Sequence, residues 1–252
     1  MGGALARAAA KSLGGEQIAV CDKHAEKVNA LRAELGVCVT TAEDIAKNAK
    51  FVVLAVKPQA MQETLTAFAP LLYREDITIV TMAAGLSIQT LRRFIGRDLP
   101  IIRMMPNTPV AVGKGMVLYA CDKVSPLQEQ AFLTAFAKAG AFDKIPEEQI
   151  DAAGALSGCG PAFAYAFAQA LSSGAVSCGV PQDKAEIYTA QTLLGAAEML
   201  LAHGNPEKLK NAVCSPNGTT VKGIRALERL GFHGAAAEAV IAAYKRSLEL
   251  NK

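Results

Sequence analysis

From the amino terminus to residue 145 the chain alternates short, almost unbroken apolar runs with stretches of helical spacing, and few folds satisfy that alternation. The runs at 17–21, 51–56, 77–82 and 101–104, with a later one at 142–145, are rich in Val and Ile. A strand apolar on both sides has to be covered on both faces, as the strands of a parallel sheet are. Between the runs, residues 25–35, 59–72, 87–95 and 125–139 repeat their apolar positions at helical intervals. Strands taking turns with helices build βαβ units, and these predict an α/β, doubly wound, mostly parallel sheet.

After Pro146 the strand pattern stops. Helices are predicted at 162–176, 183–203, 220–230 and 235–248. Pro181 and Asp183 open the second of them, and Gly204 with Pro206 closes it. The run from Ala162 to Val176 has no polar face, which predicts a helix buried on all sides. The reading is therefore two domains, 1–146 and 147–252, with no internal repeat and no long linker. At 252 residues the chain has ample length for both.

Composition closes off several functions. Apolar residues make up 51% and charged residues 19%, so the chain is globular. Its net charge of +3 comes from interspersed charges, which argues against a nucleic-acid partner. Six scattered cysteines with no C-x-x-C, and only three histidines, predict no metal site and no disulfide framework. Reduced thiols of this kind fit a cytoplasmic protein. Met1-Gly2-Gly3-Ala4 leads into an amphipathic stretch rather than a signal peptide. The apolar run at 162–176 is shorter than the roughly 20 residues of a membrane span, so no membrane partner is expected.

The loops after the predicted strands carry the chemistry. Open α/β sheets bind ligands at the carboxyl ends of their strands. In dinucleotide-binding folds a glycine-rich turn there lets N–H groups at a helix N-terminus reach a pyrophosphate. Gly2, opening the first helix, stands where the last glycine of such a turn would be, but no strand precedes it. Asp22 follows Gly2 by the interval of a ribose-binding acid and suits a free 2′-hydroxyl, whereas Lys23 or His24 suits a 2′-phosphate. Val56-Lys57-Pro58, Ala83-Ala84-Gly85 and Arg103-Met104-Met105-Pro106-Asn107-Thr108-Pro109 follow the next three strands and outline one crevice. In the helical half, Ser157-Gly158-Cys159-Gly160-Pro161 precedes the apolar helix. Cys214-Ser215-Pro216-Asn217-Gly218-Thr219-Thr220 opens another helix, whose N–H groups and dipole would hold a small carboxylate.

This ordered set of segments resembles pyrroline-5-carboxylate reductase across essentially the whole chain, with residues 215–220 the most specific part. The resemblance implies a Rossmann-like domain followed by an all-helical substrate-binding and dimerisation domain. It implies NAD(P)H-dependent reduction of 1-pyrroline-5-carboxylate to L-proline, the cofactor being NADPH with NADH as the alternative. Cofactor contacts are then expected from Gly2, Asp22, Lys23, Val56, Lys57, Pro58, Ala84, Gly85, Asn107, Thr108 and Pro109. The substrate carboxylate falls to Ser215, Gly218, Thr219 and Thr220, and Thr220 orients or protonates the ring nitrogen as the catalytic residue. A homodimer through the helical domain is implied, with a decamer as a larger assembly. Family members usually carry two glycines after the Ser-Pro, and here the first is Asn217, which tolerates a left-handed backbone. Relatives also begin with a strand and a Gly-x-Gly-x-Met-Gly turn. The present sequence opens at what looks like that Met-Gly, so weak cofactor binding and lower stability are expected of it. Two rival readings are a 2-hydroxy-acid dehydrogenase of similar build, and a truncated, non-catalytic paralogue that only dimerises.

Overall fold

The computed structural model describes residues 1–250, which divide into two compact units: Met1–Cys159 together with the residues from Ala243 on, and Gly160–Ala242. The first unit runs α1 (Gly2–Leu13), β1 (Ala19–Val20), α2 (Ala25–Leu35), β2 (Cys38–Val39), α3 (Ala42–Asn48), β3 (Phe51–Leu54), α4 (Pro58–Phe68), β4 (Thr78–Thr81), α5 (Ile88–Ile95), β5 (Ile101–Met105), β6 (Gly115–Asp122), α6 (Pro126–Ala135), β7 (Gly140–Lys144) and α7 (Ile150–Ser157). Strands β3 to β7 form one sheet in sequence order. Strands β3, β4 and β5 are parallel, so their carboxyl ends share one edge.

The runs at 77–82 and 101–104 do what they predict, whereas β3 is half buried and β1 and β7, from the runs at 17–21 and 142–145, contain no buried residue. All four residues of β4 are buried. Alternate residues feed two cores. Ile79 and Ile101 pack with Met61 and Leu65 of α4 and Leu91 of α5. Val80 and Ile102 pack on the other face with Leu5 and Ala8 of α1 and Phe132 of α6. Full burial of one such side chain contributes about 1.5–3 kcal/mol.

The sheet is mostly parallel, as expected, with one exception. Strand β6 pairs with β5 antiparallel, so the sheet is mixed. The predicted segments also omitted β2, α3, β6 and α7. Short elements such as β2 and α3 hold too few residues to display a period, and the apolar run of β6 is opened by Gly115 and ends in Cys121-Asp122.

The strands of the first unit fall into two sheets. In a doubly wound order, the strand ahead of α1 lies between the strand that follows α1 and the first strand of the other half. Here β1 and β2 pair only with each other, in a parallel two-stranded sheet apart from β3–β7. Arg7 of α1 grips Glu34 of α2 through both carboxylate oxygens, at 2.8 and 2.6 Å. Both side chains are largely solvated, so this pair contributes little to holding the small sheet in place.

The second unit contains α8 (Gly160–Ser177), α9 (Gln182–His203), α10 (Pro206–Ala212) and α11 (Thr219–Arg229), and α12 (Phe232–Leu250) begins in it. Helices α8 and α9 pack as a hairpin around Ser172, whose Oγ meets Thr189 Oγ1 at 3.0 Å and Ala185 O at 3.5 Å. The expectation that 162–176 is buried on all sides is corrected: Ser172 is the one buried residue of α8. Tyr165 is 64% exposed and, on α9, Leu201 is 89% exposed. An apolar helix with so little cover from its own chain has its burial supplied from elsewhere, or not at all. Among the described residues no helix is long and apolar enough to cross a membrane.

Candidate active site

The first unit collects most of the predicted cofactor residues along one edge of the sheet. Val56, Lys57 and Pro58 follow β3, Ala84 and Gly85 follow β4, and Asn107, Thr108 and Pro109 follow β5. Because those strands are parallel neighbours, the three loops lie side by side. Gly2 joins them from α1: a Cβ added there would sit 2.7 Å from the Cβ of Ala55, so only glycine lets the helix start this close to the β3 loop. No side chain caps α1, which leaves the N–H groups of its first turn available to an anion. Gly85 is buried with φ 77°, a backbone conformation that favours glycine. Small, uncapped and closely packed, these residues fit a dinucleotide.

Asp22 and Lys23 stand at the end of β1, in the separate small sheet, and both are exposed. Asp22 Oδ1 accepts the backbone N–H of His24 at 2.9 Å, which fixes its carboxylate in a turn. Lys57 is likewise exposed.

The Asn107 side chain turns inward. It is buried, and both ends of its amide are engaged inside the protein: Nδ2 donates to Ser157 O at 2.9 Å and Oδ1 accepts from Met116 N at 3.0 Å. Its side chain holds the loop while exposed Thr108 and half-buried Pro109 form the surface. Arg103, 3% exposed, reaches Glu147 Oε1 at 3.3 Å and Asp151 Oδ1 at 2.6 Å. Glu147 Oε1 also accepts the Ile88 N–H at 2.6 Å. Sequence reasoning quoted Arg103 only as part of a motif and missed Glu147 and Asp151. The available signal was a buried-strand arginine, which demands carboxylates, followed by an acidic cluster at 147–151.

In the second unit, residues 215–218 form a turn closed by Gly218 N–H to Ser215 O at 3.0 Å. Pro216 supplies its second residue and Asn217, at φ 57°, its third, the type II pattern. A Cβ on Gly218 would lie 2.2 Å from Ser215 Oγ, so glycine brings that hydroxyl against the turn. Gly218 is the N-cap of α11, and no side chain caps the helix. The free N–H groups of Thr219 and Thr220 thus emerge beside the Ser215 hydroxyl, with the favourable end of the helix dipole behind them. Ser215, Thr219 and Thr220 are exposed and Gly218 is half-buried.

Comparison with known proteins gives the family. The family model described as pyrroline-5-carboxylate reductase dimerisation matches residues 147–250. The one described as NADP oxidoreductase, coenzyme F420-dependent, matches residues 1–85. A pyrroline-5-carboxylate reductase of Synechocystis is 37% identical over 97% of the chain and 91% of its own length. The chain belongs to the pyrroline-5-carboxylate reductase family. The Escherichia coli reductase is 35% identical over 94% of the chain and 88% of its own length. Among solved structures, the reductase of Coxiella burnetii superposes with a TM-score of 0.89 at 31% identity, covering 100% of this chain and 96% of the other. The Plasmodium falciparum reductase, solved with NADP bound, gives 0.87 at 28% identity, covering 100% and 95%.

Within this reductase the Asn217 departure is absorbed as expected, because the residue adopts the left-handed conformation that glycine would. Cys121, near the Glu147 site, offers no nucleophile: burial, and then the Glu129 charge, push its thiol up to about 11.

Proposed function

We propose that this chain reduces 1-pyrroline-5-carboxylate to L-proline with NADPH, NADH being the alternative donor. The observation that carries the reading is the uncapped, glycine-started N-terminus of α11 with Ser215 against its turn, in a chain whose other unit presents the cofactor-sized loops. The reading assigns the cofactor to Gly2, Asp22, Lys23, residues 56–58, Ala84, Gly85 and residues 107–109. When bound, the nicotinamide supplies the hydride. The substrate carboxylate is received by the N–H groups of Thr219 and Thr220 with the Ser215 hydroxyl, while Gly218, expected as a further donor, spends its N–H closing the turn on Ser215 O. The Thr220 hydroxyl meets the ring nitrogen. A threonine hydroxyl is a weak acid, so orientation and stabilisation of developing charge are its contribution. No lysine or histidine precedes Lys222 in the cradle, and Lys222 lies inside α11, which disfavours a hydroxy-acid dehydrogenase needing a general base.

The test is NADPH oxidation by the purified chain with 1-pyrroline-5-carboxylate, followed at the nicotinamide absorbance. Turnover with the imine and none with 2-hydroxy acids supports the reading, and the reverse removes it. Thr220→Ala is expected to lower kcat by about 10²-fold while leaving NADPH affinity unchanged. Unchanged turnover would take Thr220 out of the mechanism.

We further propose a homodimer through the helical unit, working in the cytoplasm, with five dimers able to assemble into a decamer. The exposed apolar side chains of α8 and α9 support the dimer, and six free cysteines support the compartment. Light scattering after size exclusion is expected to give at least twice the chain mass of 26.3 kDa. A single-chain mass at micromolar concentration would reject the dimer.

A further inference from the structure

We infer that Glu147 is a positioning residue for the reductase reaction: its carboxylate fixes the start of α5, and with it the loop carrying Ala84 and Gly85, to the scaffold that holds the Asn107 loop. The inference rests on the assignment of those loops to the cofactor, and it adds a residue that touches neither cofactor nor substrate.

The first N–H groups of a helix have no partner within it. In α5, Ser87 Oγ serves Thr90 N at 3.1 Å, and the Ile88 N–H goes to Glu147 Oε1 at 2.6 Å. A carboxylate at a helix N-terminus is favoured by the dipole, and a charge-assisted bond is stronger than a neutral one. Ile88 lies three residues after Gly85, so this contact decides where the β4 loop ends. Next to it opens a cavity of about 660 Å³, lined by Ile88, Gln89, Arg92, Asp122 and Glu147 among others. The Ile88 side chain packs into the core, and on the cavity side the carboxylate holds its backbone N–H.

Glu147 is itself held by Arg103, which belongs to a regular set of contacts. Residues 103, 105 and 107, alternate positions on and just beyond β5, meet residues 151, 154 and 157 on α7. Arg103 binds Asp151, Met105 packs on Gly154, where an added Cβ would be 3.0 Å from Met105 Cγ, and Asn107 binds the Ser157 carbonyl. A strand of period two and a helix with contacts every three residues are thereby joined along their length. Two loops on one edge of the sheet, after β4 and after β5, are referred to the same helix. Hydride transfer is sensitive to placement: a shift of about 1 Å can cost roughly 10²-fold in rate.

Glu147→Gln keeps the size of the side chain, removes its charge, and turns an amide donor towards a guanidinium that needs acceptors. We expect amide hydrogen exchange at residues 86–91 to speed up about tenfold while β4 and α6 exchange as before. We expect kcat to fall about 10- to 100-fold in a protein that remains folded. Glu147→Asp, which restores the charge on a shorter stem, is expected to recover part of both losses. A folded Glu147→Gln protein with kcat and KM within about twofold of the parent overturns the inference, as does unchanged exchange at 86–91. A parent that neither binds NADPH nor reduces the imine overturns the functional assignment and this inference with it. The two failures are therefore distinct.

Discussion

Arg103→Leu is expected to lower the unfolding free energy by about 3–5 kcal/mol, the range for breaking a buried ion pair from one side. The guanidinium is 3% exposed and serves two carboxylates, Glu147 at 30% and Asp151 at 15% side-chain exposure. Removing it takes away the cation that both share and leaves like charges close together in a partly dry place. The partial exposure of Glu147 lets water take up some of the loss, which sets the lower end of the range. Arg103→Lys should recover only part, because one ammonium cannot copy a planar fork aimed at two acids. Arg103 Nε has no partner among the described residues, so the wild-type network is itself imperfectly satisfied. Urea denaturation of parent and variants measures the difference. A loss below about 1 kcal/mol, the worth of a surface pair, would mean that the network is solvated in solution.

An apolar strand of about five residues with a glycine-rich turn, joined ahead of Met1, is expected to raise the melting temperature by roughly 5–10 °C. The strand would pair with β1 on one side and β3 on the other, closing the break between the two sheets. Each new ladder bond contributes about 0.5–1.5 kcal/mol, and each buried apolar side chain about 1.5–3 kcal/mol. Ordering the added backbone costs about 1–2 kcal/mol per residue. The gains from pairing and burial oppose that cost, and pairing is expected to win. The same addition should tighten NADPH binding, because the turn brings further N–H groups to the start of α1. Calorimetry and a fluorescence titration of both chains would check this. Equal melting temperatures would show that the facing edges of β1 and β3 are not open to a strand.

The central strands were legible because burial writes itself as an unbroken Val/Ile run: β3 and β4 fall within predicted runs, and β5 outruns its own by one residue, Met105. Helix α2 was predicted with its observed ends, fixed by Gly36 in a left-handed cap. The direction of β6 was not legible, since pairing sense depends on where a connection travels and not on side-chain period. The apolar helix α8 was misread for a related reason: a sequence shows that a surface is apolar, but not which chain covers it. In the site, the strand-end loops were legible as motifs. The inward amide of Asn107 was not, because a polar residue between prolines reads the same whether it serves a ligand or the Ser157 carbonyl. Glu147 escaped notice because its partners, Ile88 and Arg103, lie 59 and 44 residues away.

Asn217 followed by Gly218 is also the dipeptide most prone to chemical ageing, in which the glycine nitrogen attacks the asparagine amide and a succinimide opens to aspartate or isoaspartate. The turn at 215–218 opposes that reaction, because the attacking nitrogen has its proton engaged with the Ser215 carbonyl. Opening the turn would release it, and the product would place a permanent negative charge beside the α11 N-terminus, where the substrate carboxylate is to be received. A backbone hydrogen bond thus protects this dipeptide from ageing, at a position where a second glycine would carry no such clock.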